Sequence, residues 1–318
     1  MGLLDLRRFE LAGGLLAEAG LTSAQIPEIH APGDRLGELK SDVAAILGLT
    51  PGLPVIAGTG DGQAAGLGAD ITAPGVAFLN LGTGIVSRTF STVYPWSREF
   101  RTMTGAVPGT YLPETFIGGG TYNVSWFVEQ FSGIAARPFG LDVSPESILD
   151  LAAAKVPAGS DGLLALLYLS GALSPYWDSN ARGVFLGLSA RHGKSHLYRA
   201  LLEGPAMEQR LSTAGAERAL GVPVERFRMM GGGSRSPLWC QIFAGMLAAA
   251  AVGLYASIAE AAAAMSGTRH VYQPDEPASS AYDRLYDVYR QPYPTLRETF
   301  AKRKEVVTAQ PGRAGPVQ

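Results

Sequence analysis

The chain's architecture is written most clearly in the run Val76-Ala77-Phe78-Leu79-Asn80-Leu81, Gly82-Thr83-Gly84, Ile85-Val86-Ser87-Arg88-Thr89-Phe90-Ser91. Two apolar stretches of strand length flank a three-residue turn with glycine at both ends, the signature of a hairpin. Just upstream, residues 53–57 form a short apolar run between Pro51-Gly52 and Gly58, which predicts a buried strand. That run opens into Gly58-Thr59-Gly60-Asp61-Gly62 and a helix of small residues over 63–68. Further back, 3–19 predicts an amphipathic helix weakened by Gly13-Gly14, and 42–47 a shorter one. Downstream, helical spacing covers 122–131 and 145–154, the latter with Ser144 placed to cap it and Pro145 at its first position. A turn at Tyr176-Trp177-Asp178, a strand over 184–188 and a long helix from about Ser195 follow. The strand 225–230 then feeds the loop Gly231-Gly232-Gly233-Ser234-Arg235, and Ser236-Pro237 opens another helix. From 274 the chain continues in extended and helical pieces to a polar, disordered tail over 310–318. No internal repeat is visible, and the alternation predicts an α/β class.

Composition narrows the function classes. A length of 318 residues gives a prior of two domains. Glycine, 40 of 318, is about 13% against a usual 7%, but without the period of collagen. With 17% charged and 47% hydrophobic residues, the chain is an ordinary folded protein. Its net charge is −2, and no basic block exceeds Lys302-Arg303-Lys304, which argues against a nucleic-acid partner. Cys240 is the only cysteine, so an intrachain disulfide and a cysteine-cluster metal site are excluded. Asp5, Arg7, Arg8, Glu10 and Glu18 interrupt any signal-peptide core. The uncharged run 236–259 is broken by Pro237, Gln241, Gly245 and Gly253, so no membrane span is expected and the chain is read as cytoplasmic.

Three glycine-rich turns each follow a predicted strand: 58–62, 82–84 and 231–233. Glycine there lets backbone N–H groups approach a ligand, and the third turn leads into a capped helix start. Asp61, between two glycines, reads either as a general base for a hydroxyl proton or as the N-cap of the helix 63–68. A dinucleotide fingerprint fails twice. Gln63 stands where glycine or alanine is needed, and no acid lies near Asn80. His192 and His196 have the spacing of a helical metal pair but no third ligand, which favours a packing role at the helix start. Trp126, Trp177 and Trp239 are expected in the core or a pocket wall.

Several stretches together resemble one family. Gly183-Val184-Phe185-Leu186-Gly187-Leu188 and, after seven residues, His196-Leu197-Tyr198-Arg199-Ala200-Leu201-Leu202-Glu203 follow its second signature. Pro175-Tyr176-Trp177-Asp178-Ser179-Asn180-Ala181-Arg182, Ala57-Gly58-Thr59-Gly60-Asp61 and Met230-Gly231-Gly232-Gly233-Ser234-Arg235-Ser236-Pro237-Leu238-Trp239 are equally similar. The chain thus resembles the FGGY carbohydrate kinases, in particular their xylulokinase-like branch, over about 3–300.

The resemblance implies a two-lobed kinase of the actin/hexokinase type, each lobe a ribonuclease H-like mixed sheet with flanking helices. It implies ATP with Mg²⁺ in the cleft and a sugar or polyol, a xylulose-like ketose first, as acceptor. By position, Asp61 matches the catalytic base, with Gly62 beside the substrate, and Gly82, Thr83 and Gly84 match the phosphate-contacting hairpin. Gly232, Gly233 and Ser236 match the adenosine site, and Gly120 and Asn123 match the lining of the nucleotide pocket. Asp61 and the two later bends are expected to face one cavity. The implied division is 1–70 as the end of a sugar-binding lobe, 71–266 as the nucleotide lobe and 267–318 as an extension. Two departures stand out. Met1 aligns well inside the family's first lobe, so that lobe's phosphate loop and most sugar-binding side chains are expected to be missing. A segment after about 244, beside the adenine, looks deleted. Pro205 inside the long helix is a smaller oddity. The chain alone is therefore expected to be nearly inactive. The alternatives are a non-catalytic nucleotide-binding remnant and a split kinase, with a homodimer or a missing-lobe partner left open.

Overall fold

A computed structural model describes residues 2–133, 143–247, 250–252 and 270–308. The expected polar tail 310–318, and most of the stretch from the expected gap at 244 to 269, lie outside the described residues.

The hairpin forms as its sequence demands. β5 (Val76–Leu81) pairs antiparallel with β6 (Ile85–Thr89), closing at Leu81 and Ile85 around the three-residue turn. β8 (Tyr111–Ile117) pairs with the other edge of β6, and β7 (Arg101–Thr104) with β8, both antiparallel. On the far side, β11 (Arg226–Met230) runs parallel to β5 and β12 (Ala250–Val252) parallel to β11. β13 (Val271–Tyr272) closes that edge antiparallel to β12. The result is one seven-stranded mixed sheet, ordered β13-β12-β11-β5-β6-β8-β7.

Alternation along β5 assigns the two faces. Ala77, Leu79 and Leu81 point into the larger core, packed by α4 (Thr121–Phe127), α5 (Pro145–Ala153), α6 (Lys194–Leu220) and α7 (Pro237–Leu247). Phe78 points the other way, into a small cluster with Ala69, Ile71 and Leu112 beneath α3 (Asp61–Gly68). The small residues of α3 let it lie close. A Cβ on Gly66 would stand 3.6 Å from both Phe78 and Leu112. This face also carries charge. Fully buried Glu114 takes the guanidinium groups of Arg88 and Arg101, and Arg228 pairs with Asp70 at 3.0 Å.

α6 is the spine of the larger core. Its Arg199 and Glu203, one turn apart, are both buried and pair at 2.8 Å. Glu203 further accepts the Gly159 N–H (3.0 Å), the Ser160 hydroxyl (2.8 Å) and the Tyr282 hydroxyl (3.2 Å) from α8 (Glu276–Tyr289). α6 continues unbroken past Pro205, which has no N–H for the preceding turn. The carbonyl of Leu202 in that turn takes the indole N–H of Trp239 at 2.9 Å. β9 (Leu164–Leu166) and β10 (Val184–Leu186) form a separate antiparallel pair, and Gly204 of α6 packs against Ala165 so closely that a Cβ would sit 2.2 Å from its carbonyl oxygen. α9 (Pro292–Thr308) completes the chain, its Tyr293 stacked on Tyr176 at 3.6 Å.

Several expectations are corrected. Residues 3–19 are not one helix but β1 (Leu4–Asp5), β2 (Glu10–Leu11) and α1 (Gly13–Glu18). The Asp5 carboxylate accepts the N–H groups of Arg7 and Arg8 and Phe9 sits at φ 55°, so the backbone turns where a helix would have continued. β4 (Pro54–Ile56) forms but is not buried. Among the described residues it pairs only with β3 (Arg35–Glu38), and Val55 and Ile56 are 41% and 49% exposed. α2 (Ser41–Leu47) beside it exposes Ile46 at 83%. The helix expected over 122–131 is α4 followed by one wider π turn, Val128–Ser132, and the strand expected over 184–188 stops at Leu186 before Gly187 at φ 88°. No helix among the described residues is long and apolar enough to cross a membrane.

Glu208 of α6 carries a pH signature. It is buried with the Tyr168 and Tyr289 hydroxyls donating to it at 2.8 and 2.7 Å, and its other oxygen has no partner among the described residues. Burial raises its carboxyl from 4.5 to about 7, with the two phenols pulling the other way. Between those values the native state holds a proton that the unfolded chain has released. Stability should therefore fall as pH rises from about 4.5 to about 7, by on the order of 3 kcal/mol, and level off above. Urea unfolding across this range should show the slope in the wild type and not in Glu208→Gln, which should be the more stable of the two at pH 8.

Candidate functional site

β5 and β11 run parallel, so the bends that follow them, 82–84 and 231–233, emerge side by side at one end of the sheet. A third, 118–120, leaves β8 at the same end. They pack backbone against backbone. The Gly120 N–H donates to the Thr83 carbonyl and the Thr121 N–H to the Gly82 carbonyl, both at 2.8 Å. A Cβ on Gly120 would lie 2.4 Å from the Gly82 oxygen. One on Gly84 would lie 2.5 Å from the Phe116 ring, and one on Gly233 2.6 Å from the Trp239 ring. Gly231, at φ 86°, would bring a Cβ to 2.3 Å from the Asn80 side-chain oxygen. Gly232 is the exception, with open space where its Cβ would be. Crowding thus accounts for four of these glycines, and Gly232 is exposed with nothing against it.

Beside this junction lies a cavity of about 340 Å³, in the size range of small-ligand sites. Its floor is apolar, from Val124 of α4, Leu202 and Tyr198 of α6, and Trp239 of α7. The rim carries Gly232, Gly233, Arg235, Ser236, Thr121, Ser125 and, from α5, Ser144, Glu146, Ser147 and Asp150. Both helix starts at the rim are capped as their sequences require. Ser144 Oγ accepts the Ser147 N–H (3.2 Å) and Ser236 Oγ the Trp239 N–H (3.0 Å). Asp150 Oδ1 accepts the Tyr198 hydroxyl at 3.1 Å. Burial raises the Asp150 carboxyl above its usual value, against hydrogen bonds from Ser236 and Tyr198 that favour its ionised form. Burial likewise holds the Tyr198 phenol far above its ordinary range.

Of the residues singled out in the sequence, Gly232, Gly233 and Ser236 line this cavity. Gly82, Thr83, Gly84 and Gly120 form the adjoining junction, with Thr83 exposed at the turn's tip. Asn123 is fully buried and does not line the cavity. Its amide donates to the carbonyls of Gly119 (3.2 Å) and Leu167 (3.4 Å) and so braces the 118–120 bend. The neighbours Thr121, Val124 and Ser125, one helical face of α4, line the wall instead. Asp61 is not the N-cap, since Gly60 holds that position and Asp61 is the first residue of α3, exposed, its carboxylate accepting the Gly62 N–H at 2.7 Å. The start of α3 rests on Arg88, whose guanidinium would lie 2.1 Å from a Cβ on Gly62. Asp61 therefore stands over the opposite face of the sheet from the cavity and does not line it, and the expectation of one shared cavity is corrected in this respect. Asp150, Tyr198 and Val124 were missed by sequence reading. The spacing of 146 and 150 on α5 was the only available signal.

The histidine pair is tied into the start of α6. His192 Nδ1 accepts the Ser189 N–H (3.0 Å) and His196 Nδ1 the Gly193 N–H (3.2 Å), while His196 Nε2 meets Asp161 at 3.2 Å. These bonds occupy the ring lone pairs that a metal would need. Among the described residues no group of three or more His, Cys, Asp or Glu side chains could hold a metal ion. Trp239 is in the core, Trp126 packs against it, and Trp177 is exposed with its N–H on the Arg98 carbonyl.

Comparison with known proteins places this geometry. The chain is 27% identical over 320 residues to a xylulose kinase of Lactococcus lactis subsp. lactis, across 93% of this chain and 62% of that one. It is 26% identical over 315 residues to a gluconokinase of Bacillus licheniformis, across 91% and 60% respectively. The solved structure of a xylulose kinase from Rhodospirillum rubrum superposes with a TM-score of 0.81 at 30% identity, covering 94% of this chain and 62% of that one. The chain thus spans about 60% of the length of the curated relatives it matches. Residues 79–267, more than half of the chain and including the three bends 82–84, 118–120 and 231–233, match the C-terminal domain of the FGGY family of carbohydrate kinases, and the chain belongs to that family.

Proposed function

We propose that this chain is the nucleotide-binding part of an ATP-dependent sugar or polyol kinase whose acceptor is a xylulose-like ketose. The observation that supports this most is the convergence of three glycine bends beside a cavity with an apolar floor and the exposed Gly232 at its rim. Phosphoryl transfer asks mainly for positioning and for N–H groups aimed at phosphate oxygens. In this reading the adenosine lies in the cavity against Gly232, Gly233 and Ser236. The phosphates extend towards Gly82-Thr83-Gly84, where the Thr83 hydroxyl donates to them. Mg²⁺ would be carried by the phosphates and water. Asp61, outside the cavity that holds the adenosine, is assigned as the base by its match to the family motif alone: it takes the proton of the sugar hydroxyl at the far end of the phosphates as the hydroxyl oxygen bonds to the γ-phosphorus and the bond to the ADP oxygen breaks. Residues 1–70 then belong to a sugar-binding lobe, 71–266 to the nucleotide lobe and 267–318 to an extension of it.

About 40% of the length of these relatives lies outside the match, so we further propose that these 318 residues bind nucleotide and transfer little phosphate by themselves. Calorimetry should detect ADP binding at up to millimolar nucleotide, and its absence would overturn the reading. A coupled ADP-release assay with D-xylulose, L-ribulose and glycerol at high protein concentration should show at most slow turnover, and robust turnover would remove the second proposal. Asp61→Asn should leave ADP binding unchanged and lower whatever rate is seen by about 10²–10⁴.

One observation favours a split arrangement, in which a separate chain completes the kinase. Leu36, Ile46, Leu47, Leu49, Leu53, Val55 and Ile56 are all exposed within the stretch 36–56 that holds β3, α2 and β4, and exposed apolar residues gathered in one segment favour a covering partner. Size-exclusion chromatography should find the isolated chain self-associated or retained on the matrix. A monodisperse monomer would remove the split reading and leave the nucleotide site untouched.

A further inference from the structure

The cavity beside the glycine bends is poorly suited to phosphate on the side that α5 lines. Asp150 and Glu146, one turn apart on α5, both line it, and among the described residues Arg235 is the only cationic side chain in the lining. Two carboxylates disfavour an anion and favour a neutral group that donates hydrogen bonds. Next to this side lies the apolar floor, from Tyr198, Leu202, Trp239 and Val124. A heteroaromatic ring bearing an N–H donor fits both features.

We infer that Asp150 reads the nucleobase, accepting the exocyclic amino group of an adenine seated between the Gly232-Gly233 backbone and the apolar floor. The inference rests on the nucleotide reading given above and deepens it. Asp150 is positioned for this. Its Oδ1 is held by the hydroxyl of Tyr198, whose ring is fully buried. A carboxylate has about four acceptor sites, so the side-chain donor from Tyr198 leaves capacity for a ligand. The ribose cannot occupy the same side, because its 5′ carbon must lead out to the phosphates beside residues 82–84. An ionised carboxyl only accepts, so it accommodates a 6-amino purine and repels a 6-oxo one. The base preference is then set by one side chain on α5, outside the glycine bends, and Tyr198 is a positioning residue that acts through it.

The test is calorimetric binding of ADP, IDP and N6,N6-dimethyl-ADP to the full 318-residue chain. The wild type should bind ADP about 10- to 100-fold more tightly than the other two, the range for a hydrogen bond to a charged group. Asp150→Asn can turn its amide to donate to the inosine oxygen, so it should weaken ADP and strengthen IDP. Tyr198→Phe should shrink the ratio without reversing it. If the wild type binds all three nucleotides alike, or Asp150→Asn keeps the wild-type ratio, the inference is wrong while the nucleotide site stands. If no nucleotide binds the wild type, both fail together. The ligand series needs no substitution, so a variant that fails to fold does not shield the inference.

Discussion

The close approach of Gly120 to Gly82 is the constraint on which the rest of this structure turns. Two backbone segments, one leaving β8 and one leaving β5, share paired hydrogen bonds at a separation that no Cβ could enter. That contact fixes where α4 begins, and α4 supplies one wall of the cavity. On the other side, Gly231 and Gly233 press against Asn80, Leu81 and Trp239, which fixes where α7 begins. The cavity is the space left between two helix starts locked to the same strand ends. Its shape is a by-product of backbone crowding, and its chemistry comes from side chains on α5 and α6 that the crowding does not touch.

The second organising element is the polar interior of α6. Arg199 and Glu203 are a buried ion pair, and such pairs stabilise only when the remaining lone pairs and protons are also matched. Here they are, through the adjacent Gly159 and Ser160 and, more than 120 residues on, Tyr282. The network therefore specifies register. It allows only one rotation of α6 relative to the 159–162 turn and to α8. The same helix presents Tyr198 to the cavity, so the orientation of Asp150 is inherited from a network on the neighbouring turn.

What the sequence disclosed was whatever is locally determined. The β5–β6 hairpin, the capped starts at Ser144 and Ser236, and the long helix over 194–220 rest on turn residues, caps and periodicity within a few positions, and each appears within two residues of its expected place. Residues 3–19 misled because apolar spacing is blind to an Asp5 side chain that captures two backbone N–H groups. β4 misled because an apolar run reports what a strand could bury, not whether another layer covers it. At the site, Gly232, Gly233 and Ser236 were legible, since glycine and a capping serine in series point to exposed backbone donors. Asp150 was not, because its role depends on α5 meeting α6 and α7, contacts of 48 residues or more along the chain. Asn123 shows the opposite limit. It is expected to line the pocket and instead braces a bend; a buried amide bonded to two carbonyls looks, in sequence, the same as one facing a ligand.

Cys240 gives this arrangement an unplanned use. It is the only thiol in the chain, buried in the first turn of α7 beside Trp239, with its Sγ donating to the Ser234 carbonyl of the glycine loop at 3.5 Å. Burial pushes the thiol up to about 11, so reagents that consume thiolates meet an inert group while the loop and helix stay docked. Alkylation then proceeds only through excursions that lift α7 from the sheet, and its rate becomes a clock for the breathing of this one corner. The molecule thus carries its own single-site reporter, placed where ligand occupancy would slow the ticking.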